Sequence, residues 1–180
     1  MNLTEKQLKT EYIYKGKIIN MRRDEALLPN GRTALREVVE HPGGVCIAAL
    51  TDDDELLFVR QFRYPYFEVI AELPAGKLEK GEDPLQCAIR ELSEETGFTA
   101  EEYIYLGEFY PSPGYCHEKL YAYLALGLKK GNAHLDDGEF LDVLKFPLDK
   151  LVEMVMNNEL CDAKTIIAIL KAKTYLAGLK

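Results

Sequence analysis

One segment, GKLEKGEDPLQCAIRELSEETGF from Gly76 to Phe98, restricts the fold of this chain more than any other. Asp83 stands where a helix N-cap belongs, Pro84 follows at the first helical position, and Gln86 completes a capping box. Gly97 is the residue type that closes a helix. The spacing therefore predicts a helix within Glu82 to Gly97, with Leu85, Ala88, Ile89, Leu92 and Thr96 as its core-facing stripe. Four carboxylates, Glu82, Glu91, Glu94 and Glu95, fall within reach of that helix. Like charges at helical spacing repel by roughly 0.2–0.5 kcal/mol per pair. A solvated acidic face accounts for such a pattern on an ordinary surface helix. Here, however, Glu91 and Glu95 flank the stripe one turn apart, where desolvation raises their repulsion unless a cation intervenes. Glu94 points elsewhere, with Arg90 as its nearest helical neighbour. A Gly/Pro-rich loop, ELPAGKLEKGEDP, leads straight into the helix. Hard oxygen ligands at this spacing suit Mg²⁺ or Mn²⁺.

The remainder of the chain bounds the partners. Its 180 residues suit one domain, or one domain with a small extension, and 47% hydrophobic residues build a sizeable core. A net charge of −8 argues against a nucleic-acid backbone as the main partner. It leaves room for a phosphorylated small molecule, because a bound metal reverses the local sign. Cys46, Cys87, Cys116 and Cys161 form no C-x-x-C, and the N-terminus does not read as a signal peptide. Reduced thiols in a cytoplasmic protein are the expectation. No apolar run is long enough to span a bilayer.

Along the chain, EYIYKGKIINMRRDEALL reads as short strands, and Asn30-Gly31 in LPNGR as the turn closing a hairpin with TALREVVEH. VCIAAL is continuously apolar, which predicts a strand buried on both faces. LLFVRQFRY, YIYLGEFYPS, KLYAYLALGL and FLDVLKF read as further strands, and LDKLVEMVMNN and DAKTIIAILKAKTYLA as helices. There is no internal repeat. A mixed sheet with few helices follows: an α/β or α+β domain with a β-rich N-terminal piece.

Gly76, Glu82, Arg90, Glu91, Leu92, Glu94, Glu95, Gly97 and Phe98 fill the pattern G-x5-E-x7-R-E-U-x-E-E-x-G-U, where U is a bulky aliphatic and Phe98 a mild departure. On those residues the segment resembles the Nudix box. LPNGR, REVVEHPGGV, RQFRY, ELPAGKLEKGE, SPGY and DAKTI are similar, in nearly consecutive order, to the ADP-ribose pyrophosphatase branch of that superfamily. Pro113, sixteen residues beyond Gly97, is a marker of that branch, and the similarity runs from about Tyr12 to Leu176.

The resemblance implies a Nudix α/β/α sandwich with a mixed β-sheet and an N-terminal antiparallel β extension. Residues 1–42 would form the extension, exchanging across a two-fold homodimer and contacting substrate, and residues 43–180 the hydrolase domain. By the same resemblance Glu91, Glu95 and the backbone carbonyl of Ala75 hold Mg²⁺, with Mn²⁺ as a substitute. Glu94 is a further ligand or water-mediated contact that takes part in catalysis. Gly76, Glu82 and Arg90 brace the loop and helix. Arg36 and Arg63 match substrate-contacting positions, Gly114 is expected to bind substrate with them, and Glu118 is a candidate for ribose or metal contact. The family's adenine-stacking aromatic falls near Lys17 and Ile18, which leaves Tyr12, Tyr14 or Tyr115 as replacements. The base that takes the proton from the hydrolytic water is assigned to Glu139, with Asp136 and Asp137 as competitors in DDGEF. His41, His117 and His134 lack metal-ligand spacing and read as ordinary polar residues. The implied reaction is Mg²⁺-dependent hydrolysis of ADP-ribose to AMP and ribose 5-phosphate. Alternatives are another nucleoside-diphosphate sugar or a dinucleotide as substrate, and a non-catalytic ADP-ribose sensor.

Overall fold

A computed structural model describes residues 2–135, 138 and 140–178. Twelve strands and three helices are formed among the described residues: β1 Lys6–Lys15, β2 Asn20–Leu27, β3 Thr33–Glu40, β4 Gly44–Ala49, β5 Glu55–Arg63, β6 Glu68–Glu72, β7 Ala75–Lys77, α1 Pro84–Thr96, β8 Phe98–Thr99, β9 Glu102–Phe109, β10 Leu120–Leu126, β11 Lys129–Lys130, β12 Leu141–Pro147, α2 Leu148–Met156 and α3 Ala163–Leu176. They divide into two compact units. One is the chain up to Gly43 with Tyr110–Lys119, and the other is Gly44–Phe109 with the chain from Leu120 onward.

The first unit is an antiparallel meander in the order β1-β2-β3. The Asn30-Gly31 turn joins β2 to β3 as the sequence predicts. Gly31 adopts φ +80°, a left-handed value open to glycine, and Leu28 N–H donates to Arg32 O at 2.8 Å across the turn. The 110–119 segment runs beside β3, with Val39 N–H donating to Tyr115 O and His117 N–H to Val39 O, both at 2.8 Å. Every residue of β1 is exposed, including Leu8, Tyr12, Ile13 and Tyr14.

In the second unit a mixed sheet runs β7-β4-β10-β9, with β4 parallel to β10 and the outer pairs antiparallel. A second sheet runs β12-β5-β6, and β8 pairs with β11. Strand β4 is buried on both faces, as its apolar run predicts. Val45, Ile47 and Ala49 pack with Cys87, Ala88 and Leu92 of α1. Cys46 and Ala48, alternating with them, pack with Leu148 and Leu151 of α2 and Ile169 and Ala172 of α3. This is an α/β/α sandwich. Full burial of Ile47, Leu92 and Ile169 contributes about 1.5–3 kcal/mol each.

Helix α1 begins and ends where its caps predict. Asp83 accepts from Leu85 N–H and Gln86 N–H at 2.9 and 3.3 Å, and Gly97 closes the helix at φ 73°. The reciprocal bond from the Gln86 side chain is not formed among the described residues, so the cap is one-sided. The buried face also differs from the expected stripe. It comprises Cys87, Ala88, Leu92, Glu95 and Thr96, while Leu85 and Ile89 are half-buried. The cause is β7, a three-residue strand inside the stretch that reads as loop; it closes over the flank of α1 and buries Glu95. Three residues are too few for an alternation to register in sequence.

Candidate active site

Strand β7 and helix α1 bring together Ala75, Gly76, Glu91 and Glu95. Ala75 N–H donates to Glu95 Oε2 at 3.0 Å, and Glu95 is 4% exposed. The Glu91 carboxylate lies directly on Gly76: a Cβ built there would stand 1.8 Å from both Cδ and Oε1. Gly76 is therefore needed for the space its missing side chain leaves, since its φ is not left-handed. Its neighbour Gly44 has the same character, a Cβ there meeting Gly76 O at 2.6 Å.

Arg90 organises the other carboxylates. Its Nε and Nη2 donate to Glu82 Oε1 and Oε2 at 2.9 and 3.0 Å, a two-point pairing that fixes both planes. Its Nη1 donates to Glu91 Oε1 at 2.8 Å and to Glu94 Oε2 at 2.9 Å. Glu79 N–H donates to Glu82 Oε2 at 2.9 Å, tying the preceding loop to the same guanidinium. The Arg90 hydrogen bond holds the Glu82 carboxyl down at about 2 despite some desolvation. The bond to Glu82 likewise raises Arg90 above the ordinary arginine value, with Glu91 and Glu94 adding to it. Cys87, beneath Arg90, is pushed up to about 12 by burial, so its thiol is not a nucleophile. Three carboxylates thus meet one guanidinium and keep a negative surplus.

A second network was not singled out in the sequence. Glu72, at the end of β6 and 1% exposed, accepts from Arg63 Nε at 2.6 Å and from Lys164 Nζ. Lys164 also donates to Asp162 Oδ2 at 2.9 Å, and Asp162 caps α3 by accepting from Thr165 N–H at 3.0 Å. Burial pulls Arg63 and Lys164 downward. The Glu72 hydrogen bond and nearby negative charges outweigh it for Arg63, as the charges of Glu72 and Asp162 do for Lys164, and both end raised. Burial works to raise Asp162, but the Lys164 charge overcomes it and Asp162 ends lowered. Glu95 also contributes to the field at Arg63. Two local signals could have found this network. Glu72 is a lone acid between Ala71 and Leu73, and Lys164 is a cation in the first turn of a helix, where the macrodipole disfavours it.

The remaining predicted residues divide between the first unit and the residues outside the description. Arg36 pairs with Glu5 through Nε and Nη2 at 2.9 and 2.6 Å. Gly114 is exposed with open space at its Cα, and Glu118 stands 3.4 Å from His41 Nδ1, which accepts from Gly43 N–H. Tyr12, Tyr14 and Tyr115 are exposed, as is Ile18. Asp136, Asp137 and Glu139 lie outside the described residues. Among the described residues no group of three or more His, Cys, Asp and Glu side chains is arranged to hold a metal ion. The expected set is smaller, two carboxylates and a backbone carbonyl. Its all-oxygen chemistry, its surplus of negative charge and the Glu91 carboxylate seated against Gly76 suit a hard divalent cation.

A family model described as NUDIX domain matches residues 33–167, and one described as nucleoside diphosphate sugar hydrolase N-terminal domain matches residues 5–39. The chain is 43% identical over 167 residues to the methanol dehydrogenase activator of Bacillus methanolicus, covering 92% of this chain and 90% of that protein. It is 42% identical over 170 residues to the ADP-ribose pyrophosphatase of Bacillus subtilis (strain 168), covering 93% and 92%. The crystal structure of an ADP compounds hydrolase shares the fold, with TM-score 0.87 and 22% identity over 99% of this chain and 97% of that one.

Proposed function

Because the chain belongs to the NUDIX domain family and is a hydrolase of a pyrophosphate bond, we propose that its substrate is ADP-ribose, cleaved to AMP and ribose 5-phosphate. The observation that carries this reading is the joint placement of Glu91 on Gly76 and Glu95 on Ala75 N–H, at the one face where α1 meets β7. In the proposal Glu91, Glu95 and the Ala75 carbonyl hold Mg²⁺, or Mn²⁺ in its place, and Glu94 supports them. When bound, the metal neutralises diphosphate charge and makes water a stronger nucleophile. Arg90 and Glu82 keep Glu91 and Glu94 from turning away, and Gly76 leaves room for Glu91. Arg63 pairs with the anionic substrate, and Arg36, Gly114 and Glu118 keep the substrate-contacting roles that the resemblance implies for them. Water adds to phosphorus, the bond to the bridging oxygen breaks, and the water's proton passes to Glu139, with Asp136 and Asp137 as its competitors for that role.

The same proposal takes residues 1–42 as a dimerising extension and residues 43–180 as the hydrolase domain, in a cytoplasmic protein. Support for a homodimer with exchanged N-terminal strands comes from β1, which leaves Leu8, Tyr12, Ile13 and Tyr14 to solvent in a single chain. No helix among the described residues is long and apolar enough to cross a membrane. The match at residues 5–39 favours a second reading in which another nucleoside-diphosphate sugar is the better substrate.

A panel of nucleoside-diphosphate sugars and dinucleotides incubated with Mg²⁺ tests both readings. AMP should appear from ADP-ribose with wild type, stop on addition of EDTA, and fall at least about 100-fold with Glu95→Gln. Faster turnover of a different sugar nucleotide removes the substrate and keeps the hydrolase. Tight ADP-ribose binding without AMP release makes the protein a sensor.

A further inference from the structure

We infer that the start of α3, Asp162-Ala163-Lys164-Thr165, is a positioning device for the catalytic face, aiming Arg63 through Glu72 and fixing the Ala75 strand through Leu73. The inference deepens the diphosphate-hydrolase reading and rests on it.

Two connections run from α3 into one short stretch of chain, Glu72 to Ala75. Lys164 Nζ donates to Glu72, and Leu73 N–H donates to Thr165 Oγ1 at 3.0 Å, both across 92 positions of sequence. Thr165 and Leu73 have no exposed surface, so losing this bond would leave a buried donor unpaired. Two residues beyond Leu73, Ala75 N–H meets Glu95. Between them Pro74 O accepts from Ile47 N–H at 2.9 Å. The stretch is thus held on one side by β4, on another by α3, and its far end presents Ala75 to the carboxylate face.

The charge arrangement explains why Lys164 is needed beside Arg63. Glu72, almost wholly buried, must be neutralised. With Arg63 as sole partner it would draw the whole guanidinium onto itself. Lys164 takes one oxygen, and Arg63 is then held by its Nε alone, with a side chain still 38% exposed. An arginine anchored through Nε keeps its terminal edge for a second acceptor, which suits a diphosphate oxygen. Asp162 completes the balance by anchoring Lys164, which meets both acids, so two acids face two cations and Arg63 is left with Glu72 as its one acid partner among the described residues.

Three measurements test this. In metal-free protein, the Arg63 Nε–H resonance, assigned with Arg63→Lys, should exchange at least about tenfold more slowly than that of the exposed Arg32. Lys164→Met should raise KM for ADP-ribose about tenfold with kcat changed less than about twofold, the low end of what a weakened charge-assisted hydrogen bond produces. Adding Glu72→Gln to Lys164→Met removes the uncompensated charge while keeping an acceptor for Nε, and should return KM to within about threefold of wild type. Exchange at Arg63 as fast as at Arg32, an unchanged KM in Lys164→Met, or a double variant no better than the single one would each overturn the inference. If Lys164→Met does not fold, the exchange measurement on wild type decides. Wild type that cleaves no nucleoside diphosphate sinks the functional reading alone, and Arg63 exchange still reports whether the clamp exists.

Discussion

Replacing Gly76 with alanine separates the chemistry from the stability of this fold. The added Cβ would stand 1.8 Å from Glu91 Cδ and Oε1 and 2.3 Å from Oε2. Ordinary contact begins near 3.4 Å, so the carboxylate must retreat by about 1.6 Å. The obstructed group is the far end of a flexible side chain, which lets it swing aside without moving β7. The partner it leaves, Arg90, retains Glu82 and Glu94. Thermal stability should therefore fall by no more than about 1 kcal/mol, the worth of the one ion pair that is lost while Arg90 keeps its other partners. Catalysis should respond very differently, because a misplacement near 1 Å at a positioned group lowers rates about 100-fold. Such a loss in kcat/KM corresponds to about 2.7 kcal/mol of transition-state stabilisation. Initial rates of AMP release from ADP-ribose with Mg²⁺, beside thermal unfolding followed by circular dichroism, measure both quantities. A Gly76→Ala protein with normal melting and kcat/KM within threefold of wild type would falsify the assignment of Glu91 to the reacting centre.

Two further outcomes follow from the same geometry. Glu82 is depressed from 4.5 to about 2, so its partnership stabilises the fold above the ordinary value and is lost as pH falls through the folded one. The stability difference between wild type and Glu82→Gln, from urea unfolding across pH, should be constant above about pH 4.5 and vanish near pH 2. A difference that persists unchanged at the acid end would mean that charge on Glu82 is not what stabilises it. Gly97→Ala places a side chain at φ 73° and sets its Cβ 2.6 Å from Ala133 N. The left-handed conformation alone costs about 1–2 kcal/mol, which should lower Tm by about 2–8 °C in a chain of this size. An unchanged Tm would show that the helix end relaxes without strain.

Much of the fold was legible because its signals are local. The Asp83 and Gly97 caps placed α1 to within two residues, and the Asn30-Gly31 turn placed β2 and β3. The apolar run of β4 gave away its double burial, and the hydrolase chemistry was readable from the spacing of nine residues between Gly76 and Phe98. Other features were hidden for definite reasons. Strands β7, β8 and β11 are two or three residues long and carry no periodicity. Glu95 read as a flank residue because helical geometry alone does not say what covers the flank.

The sequence by itself determined most of the longer elements and the reaction class, since caps, turns, apolar runs and motif spacing act between residues that are neighbours along the chain. Only the tertiary structure decided the partners of the charges. Arg63 reads as a residue reserved for substrate, yet its Nε belongs to Glu72, and Glu72 is shared with a lysine 92 positions away. The physical reason is burial. A carboxylate without access to water must find cations wherever the fold brings them, and that choice is made by the packing of α3 against the sheet.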